Sequence, residues 1–225
     1  MTKAVMMSIQ PKWVEKILNG EKTIEVRKTA PLSLIGESVV LDYNGEVYYD
    51  TPFKVYIYCT KGMGNLFVRK IQNNGRNISV FDNNSIYIEG DTWTMDNGVM
   101  YTSNYLLNGK VVAEFTCDKV SIVLSKHREY ELFLDGCCLS NEEIDNYSKG
   151  KDLYGWHISN LKIYDKPREL GEFYSAKQCK DWDKRMDDCV GHGLDYQDKC
   201  KHCCGGHTPL TKPPQSWCYV EEVEY

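Results

Sequence analysis

The twenty-three residues from Met6 to Lys28, MMSIQPKWVEKILNGEKTIEVRK, leave little freedom in how this chain begins. Pro11 has the fixed φ that suits the first turn of a helix. Trp13, Val14, Ile17 and Leu18 then fall on one helical face. Gly20 can end that helix in a left-handed conformation, which a residue with a β-carbon resists. The apolar run before Pro11 and the mixed β-branched and charged run Thr23–Arg27 after Gly20 both read as strands. The opening is therefore strand, helix, strand.

The rest of the chain is mostly strand. The runs SVVLDY (38–43), FKVYIYC (53–59), KVVAEFTCDKVSIVL (110–124), YGWHISNLKIY and SWCYVEEV are rich in Val, Ile and Tyr. A second helix is expected at SNEEIDNYSKG, where Ser140 as N-cap and Glu143 three residues on make a capping box, with Gly150 beyond the end. Several strands, two or more short helices and no alternation of the two predict an α+β fold, in the form of a small β-barrel. Two stretches interrupt it. Residues 61–108, rich in Asn, Gly and Asp, read as a hairpin-bearing insertion, and residues 175–212 as a cysteine-rich one, within a single domain of 225 residues.

The net charge of −5 argues against a protein that coats duplex DNA through bulk charge, and leaves room for a local basic pocket. The first residues carry too short an apolar run for a signal peptide, and no later stretch approaches the length of a membrane span, so a cytoplasmic location is expected. Ten cysteines in a reducing compartment point to buried thiols where scattered and to a metal where clustered. Cys59, Cys117, Cys137, Cys138 and Cys218 belong to the first group. Cys179, Cys189, Cys200 and Cys203 form the second. Cys200-x-x-Cys203 followed closely by glycine is a knuckle that offers two thiolates to tetrahedral Zn²⁺, and four cysteine ligands make the zinc structural. Cys204, His207, His202 and His192 are substitute ligands.

On a strand, Thr23, Glu25 and Arg27 project to one side and Ile24 and Val26 to the other, with Lys22 in the preceding turn. Spacing alone reads this as a solvated strand with a surface ion pair worth ~0–1 kcal/mol. A second reading comes from a resemblance. SIQPKWVEKILNGEKTIEVRK, with its G-x-K-T-x-E-x-R core, together with GKVVAEFTC, LYGWHISNLKIYDKPREL and KPPQSWCYVEE in that order, resembles the ASCH family of the PUA-like superfamily, in phage and prophage form. It covers about residues 3–58, 110–170 and 212–223. The resemblance implies a PUA-like barrel with a polar cleft beside the first helix, lined by the Lys–Glu–Arg strand, and binding of single-stranded RNA or a modified nucleotide. Some members are hydrolases of RNA or of acylated cytidine.

The ligand-binding candidates are then Ser8, Lys12, Lys22, Thr23, Glu25, Arg27, Tyr154 and Trp156, with Glu114 and His157 as further candidates. Tyr154 and Trp156 are read either as stacking partners for a base or as core aromatics. His157 alternates with Trp156 and is expected on the opposite face. If the chain is an enzyme, Glu25 is the base and Lys22 the electrostatic stabiliser. Similar amidohydrolases carry a threonine nucleophile three residues after the lysine, and here that position holds Glu25, so the threonine chemistry does not transfer. A third reading is a phage-type interaction factor that meets a protein partner through residues 61–108.

Overall fold

The computed structural model describes residues 3–36, 39–41, 47–50, 52–62, 64–71, 75–81, 94–96, 99–124, 136–176 and 209–223. The opening forms as its residues dictate. Strand β1 (Lys3–Ile9) leads through Pro11 into α1 (Pro11–Leu18), which buries Pro11, Val14, Ile17 and Leu18. Gly20 takes φ 78° just past its end, and β2 (Ile24–Arg27) comes after it. A short helix α2 (Leu32–Ile35), β3 (Val40–Leu41), β4 (Val47–Tyr49) and β5 (Phe53–Cys59) come next.

The described parts of 61–108 form their own antiparallel sheet, from β6 (Asn65–Ile71), β7 (Gly75–Phe81), β8 (Thr94–Asp96) and β9 (Val99–Leu106), in the order β7-β6-β9-β8. Its base joins the main core through Leu66, Val68, Tyr105 and Leu107. The chain continues with β10 (Val111–Cys117), β11 (Val120–Val123), α3 (Asn141–Ser148), β12 (Leu153–His157), β13 (Ser159–Arg168), a 3-10 turn (Leu170–Glu172) and β14 (Trp217–Glu221). Ser140 caps α3 as its sequence foretells: its hydroxyl accepts from Glu143 N at 3.2 Å, and Glu143 Oε2 accepts from Ser140 N at 2.9 Å.

The expected barrel does not close. Among the described residues the strands make two five-stranded sheets, β13-β10-β5-β1-β14 and β2-β12-β11-β4-β3. The reason lies in two joints. The run 110–124, expected as one strand, breaks at Asp118–Lys119, so that β10 pairs in the first sheet and β11 in the second. The β12–β13 run breaks likewise at Ile158, where Ile158 N turns aside to donate to Thr23 O at 2.9 Å. Each long strand thus serves both sheets in turn, and the sheets stack instead of rolling shut. The two strands expected at 23–27 and 38–43 are shorter, at Ile24–Arg27 and, among described residues, Val40–Leu41. The α+β class stands, with sheet predominant.

The apolar residues gather in three clusters. The main core lies between the sheets and under α1, and includes Val5, Met7, Ile9, Val14, Ile17, Phe53, Ile57, Phe115 and Trp156. The outer face of the first sheet gathers Met6, Tyr56, Tyr164 and Phe173. The outer face of the second gathers Ile24, Val26, Val123 and Leu153 against Ile144 of α3. The second sheet is therefore packed on both faces. The scattered cysteines are thiols as expected: Cys59, Cys117 and Cys137 are buried, and Cys138 and Cys218 half-buried. Burial pushes the Cys59 thiol up to about 12 and the Cys117 and Cys137 thiols up as well, so they are poor nucleophiles. Among the described residues no helix is long and apolar enough to cross a membrane.

Candidate functional site

Strand β2 closes one edge of the second sheet and β14 one edge of the first. The charged residues of the opening motif sit in the seam between those edges. Because Ile24 and Val26 face α3, alternation turns Glu25 and Arg27 inward, toward the first sheet. All four residues of β2 are buried, with Glu25 at 7% exposure and Arg27 at 8%, and Lys22 is buried further still, at 2%. The expected solvated strand is overturned: α3 covers the outer side of β2 and the first sheet the inner side, which removes the solvent.

The three charges form one chain. Arg27 Nη2 stands 3.0 Å from Glu25 Oε1, and Lys22 Nζ stands 3.5 Å from Glu25 Oε2, too long for a hydrogen bond. Lys22 Nζ donates instead to the carbonyl of Cys137 and lies 5.2 Å from the centre of the Trp13 ring. Arg27 crosses the seam, donating from Nη2 to Ser8 O at 2.8 Å and from Nη1 to Ser216 Oγ at 3.3 Å. The Ser8 hydroxyl donates to Pro214 O at 2.7 Å, so Ser8 contributes its carbonyl to the cluster and its side chain to the segment before β14. Three buried polar atoms remain without a hydrogen-bond partner among the described residues: Glu25 Oε2, Arg27 Nε and Trp156 Nε1. Trp156 is the cross-strand partner of Glu25, and Tyr154 of Arg27, so all three atoms belong to one face of the β2–β12 pair.

The other candidates scatter. Trp156 is fully buried and its ring packs against Phe53 and Trp217, so it is a core aromatic with no face for a base; only its N–H addresses the site. Tyr154 is half-buried against the same core. Thr23 lies before β2 and is exposed, its amide donating to Gly136 O at 2.8 Å. Lys12 is exposed on α1, its ammonium 4.2 Å from the Trp13 ring centre. Glu114 accepts from Tyr164 at 2.7 Å on the outer face of the first sheet, away from the trio. His157 sits opposite Trp156 as alternation requires, its Nε2 2.7 Å from Ser121 Oγ.

Sequence reasoning missed the turn that holds Lys22. Gly136 sits so close to β2 that an added Cβ would meet Thr23 Oγ1 at 2.5 Å, and this approach delivers the Cys137 carbonyl to the ammonium. A glycine beside two cysteines, more than a hundred residues from Lys22, carried no local signal. It also missed Ser216 and Trp217, which the SWCYVEEV run offered only as strand.

Cys179, Cys189, Cys200 and Cys203, with Cys204, His192, His202 and His207, lie outside the described residues. Among the described residues no group of three or more His, Cys, Asp or Glu side chains is placed to hold a metal ion.

No protein-family model matches the sequence, and no curated protein matches it. The structure is similar to a crystal structure of a mutant ZmASCH protein from Zymomonas mobilis, across 75% of this chain and 77% of that one, at 12% identity and a TM-score of 0.42.

Proposed function

We propose that the chain is a nucleic-acid-directed module that holds one nucleotide of single-stranded RNA, or a modified nucleotide, against Lys22, Glu25 and Arg27. The observation that carries this reading is the buried trio with its unpartnered atoms. Two cations against one carboxylate leave a net charge of +1 out of water, an arrangement whose desolvation cost a simple structural pair would avoid. Two N–H donors and one carboxylate oxygen on the same face lack partners, and buried polar atoms rarely do. A base edge that presents carbonyl or ring-nitrogen acceptors beside an amine satisfies all three, and the surplus positive charge favours its electron-rich side. The sequence resemblance to the ASCH family points the same way.

The seam is built from two strand edges and not from the inserted helix or ribbon that duplex-groove readout calls for, which favours a splayed base of a single strand. The threonine-dependent amidase is not proposed, since Glu25 holds the nucleophile position and Thr23 lies outside the strand. Fluorescence anisotropy with labelled single-stranded RNA of mixed sequence tests the reading. Lys22→Met and Glu25→Gln, both close in volume to the parent residues, are expected to weaken binding at least tenfold. Parent-like affinity in both, with the fold intact by circular dichroism, rejects it.

Zinc at Cys179, Cys189, Cys200 and Cys203 belongs to the same proposal. Its support is the knuckle spacing, together with the bridge between Tyr174 and Pro209, which brings the described residues on either side of that stretch side by side. Closing a loop in advance lowers the entropy cost of assembling ligands from its two ends. Native mass spectrometry is expected to find one zinc per chain, lost in a Cys200→Ser, Cys203→Ser double variant. A metal-free parent protein, purified without chelator, refutes it.

A further inference from the structure

Beyond the charged trio, the seam carries a row of aromatic rings. Phe53, Trp156, Trp217 and Tyr219 succeed one another with centroid separations of 5.4, 5.7 and 5.3 Å. The row starts in the core, where Phe53 and Trp156 are buried, and ends at Trp217 and Tyr219, which are half-buried on the edge strand β14. The indole of Trp217 is held from three directions. Its Nε1 donates to Thr29 Oγ1 at 3.0 Å, the Trp156 ring meets it at 55° and the Tyr219 ring at 77°. Tyr219 is fixed in turn, its hydroxyl accepting from Ser33 N at 3.3 Å.

An indole with its N–H already satisfied and its orientation set can meet a ligand only through the part of its ring face that half-burial leaves uncovered. That face lies next to the grip. Ser216, one residue earlier, accepts from Arg27, and Trp156, the next ring inward, is the cross-strand partner of Glu25 and carries an unpartnered buried N–H. The row therefore runs from the unpartnered atoms of the trio outward to the surface.

We infer that Trp217 is a stacking platform for a second base, the chain neighbour of the nucleotide held at the trio, so that the site reads a dinucleotide step of a single strand. This rests on the nucleotide-binding role proposed for the trio. A ring fixed before binding loses little conformational freedom when a base lands on it. Base–aromatic stacking adds about 5- to 150-fold in affinity per base and is tolerant of base identity. The trio would then select the first nucleotide while Trp217 lengthens the footprint without selecting the second.

Titrations of the full chain with the four ribonucleoside 5′-monophosphates and with the matching 3′,5′-linked ribodinucleotides test this. In the parent protein each dinucleotide is expected to bind at least fivefold more tightly than its mononucleotide. Trp217→Leu, which keeps apolar bulk and removes the aromatic ring, is expected to bring the ratio of dinucleotide to mononucleotide affinity down to about one. Trp217→Phe should keep most of it, which separates stacking from a packing defect. If mononucleotides bind and the step is absent in the parent, or survives in Trp217→Leu, the second-base site is wrong and the trio reading stands. If neither mononucleotides nor dinucleotides bind, the trio reading falls and the inference with it.

Discussion

Two charged clusters stand a few residues apart and share their chemistry but not their surroundings. Lys16 Nζ meets Glu21 Oε2 at 2.9 Å at the end of α1, with side chains 40% and 54% exposed. Lys22, Glu25 and Arg27 lie just beyond, with side chains 2%, 9% and 10% exposed and longer separations of 3.5 and 3.0 Å. The shorter contact is the less consequential one. In water, charge attraction is largely offset by solvation and side-chain entropy. Between two sheets, each charge has given up its water and depends on the few partners that remain. Distance alone would rank these clusters the wrong way round.

The sharpest way to break that comparison is to remove the carboxylate. Glu25→Ala leaves Lys22 and Arg27 buried together with no counter-charge, and an expected loss of about 3–5 kcal/mol. At this chain length that corresponds to a fall of roughly 10 °C in the thermal midpoint, read by calorimetry. Arg27→Ala restores neutrality but strips the donors from Ser8 O and Ser216 Oγ, and should cost less than Glu25→Ala. Lys22→Met also leaves a neutral pair and forfeits only the bond to the Cys137 carbonyl, for about 1–3 kcal/mol. The expected order is Glu25, Arg27, Lys22. If Lys22→Met proves the most damaging of the three, the cluster is held by the ammonium and the net-charge argument fails.

The same contrast shows what was legible in the residues. Local rules sufficed for α1 and for the Ser140–Glu143 cap, because the donors, acceptors and glycine lie within a turn of one another. Alternation placed Glu25 and Arg27 together and His157 opposite Trp156. It could not tell which side of β2 would be covered. A strand with charges on one face normally turns that face to water, and here the second sheet is packed on both faces, by α3 outside and the first sheet inside. For the same reason Trp156 became core rather than a stacking partner. The joints at Asp118–Lys119 and Ile158 were hidden because the flanking runs are equally rich in β-forming residues, and sheet membership is decided by partners far along the chain. The Cys137 carbonyl was beyond reach, since any residue type supplies a carbonyl and its place depends on how closely Gly136 approaches β2.

The exposed pair marks the other end of the scale. Glu21 holds the Lys16 ammonium's titration above its ordinary value of 10.5, through their hydrogen bond first and charge second. A base whose titration is raised on folding lends stability that is fully present below its unfolded value and is lost as the pH climbs through the folded one. The Lys16–Glu21 contribution should therefore be flat across the neutral range and fall away in strong alkali. Both groups are solvated, so Glu21→Ala should leave the thermal midpoint at neutral pH unchanged within error, at low salt and at high. Glu25→Ala, measured alongside, should show its loss at both salt concentrations, because ions do not reach a pair between two sheets. A Glu21→Ala protein that melts as early as the Glu25→Ala protein would mean that burial is not what separates the two clusters.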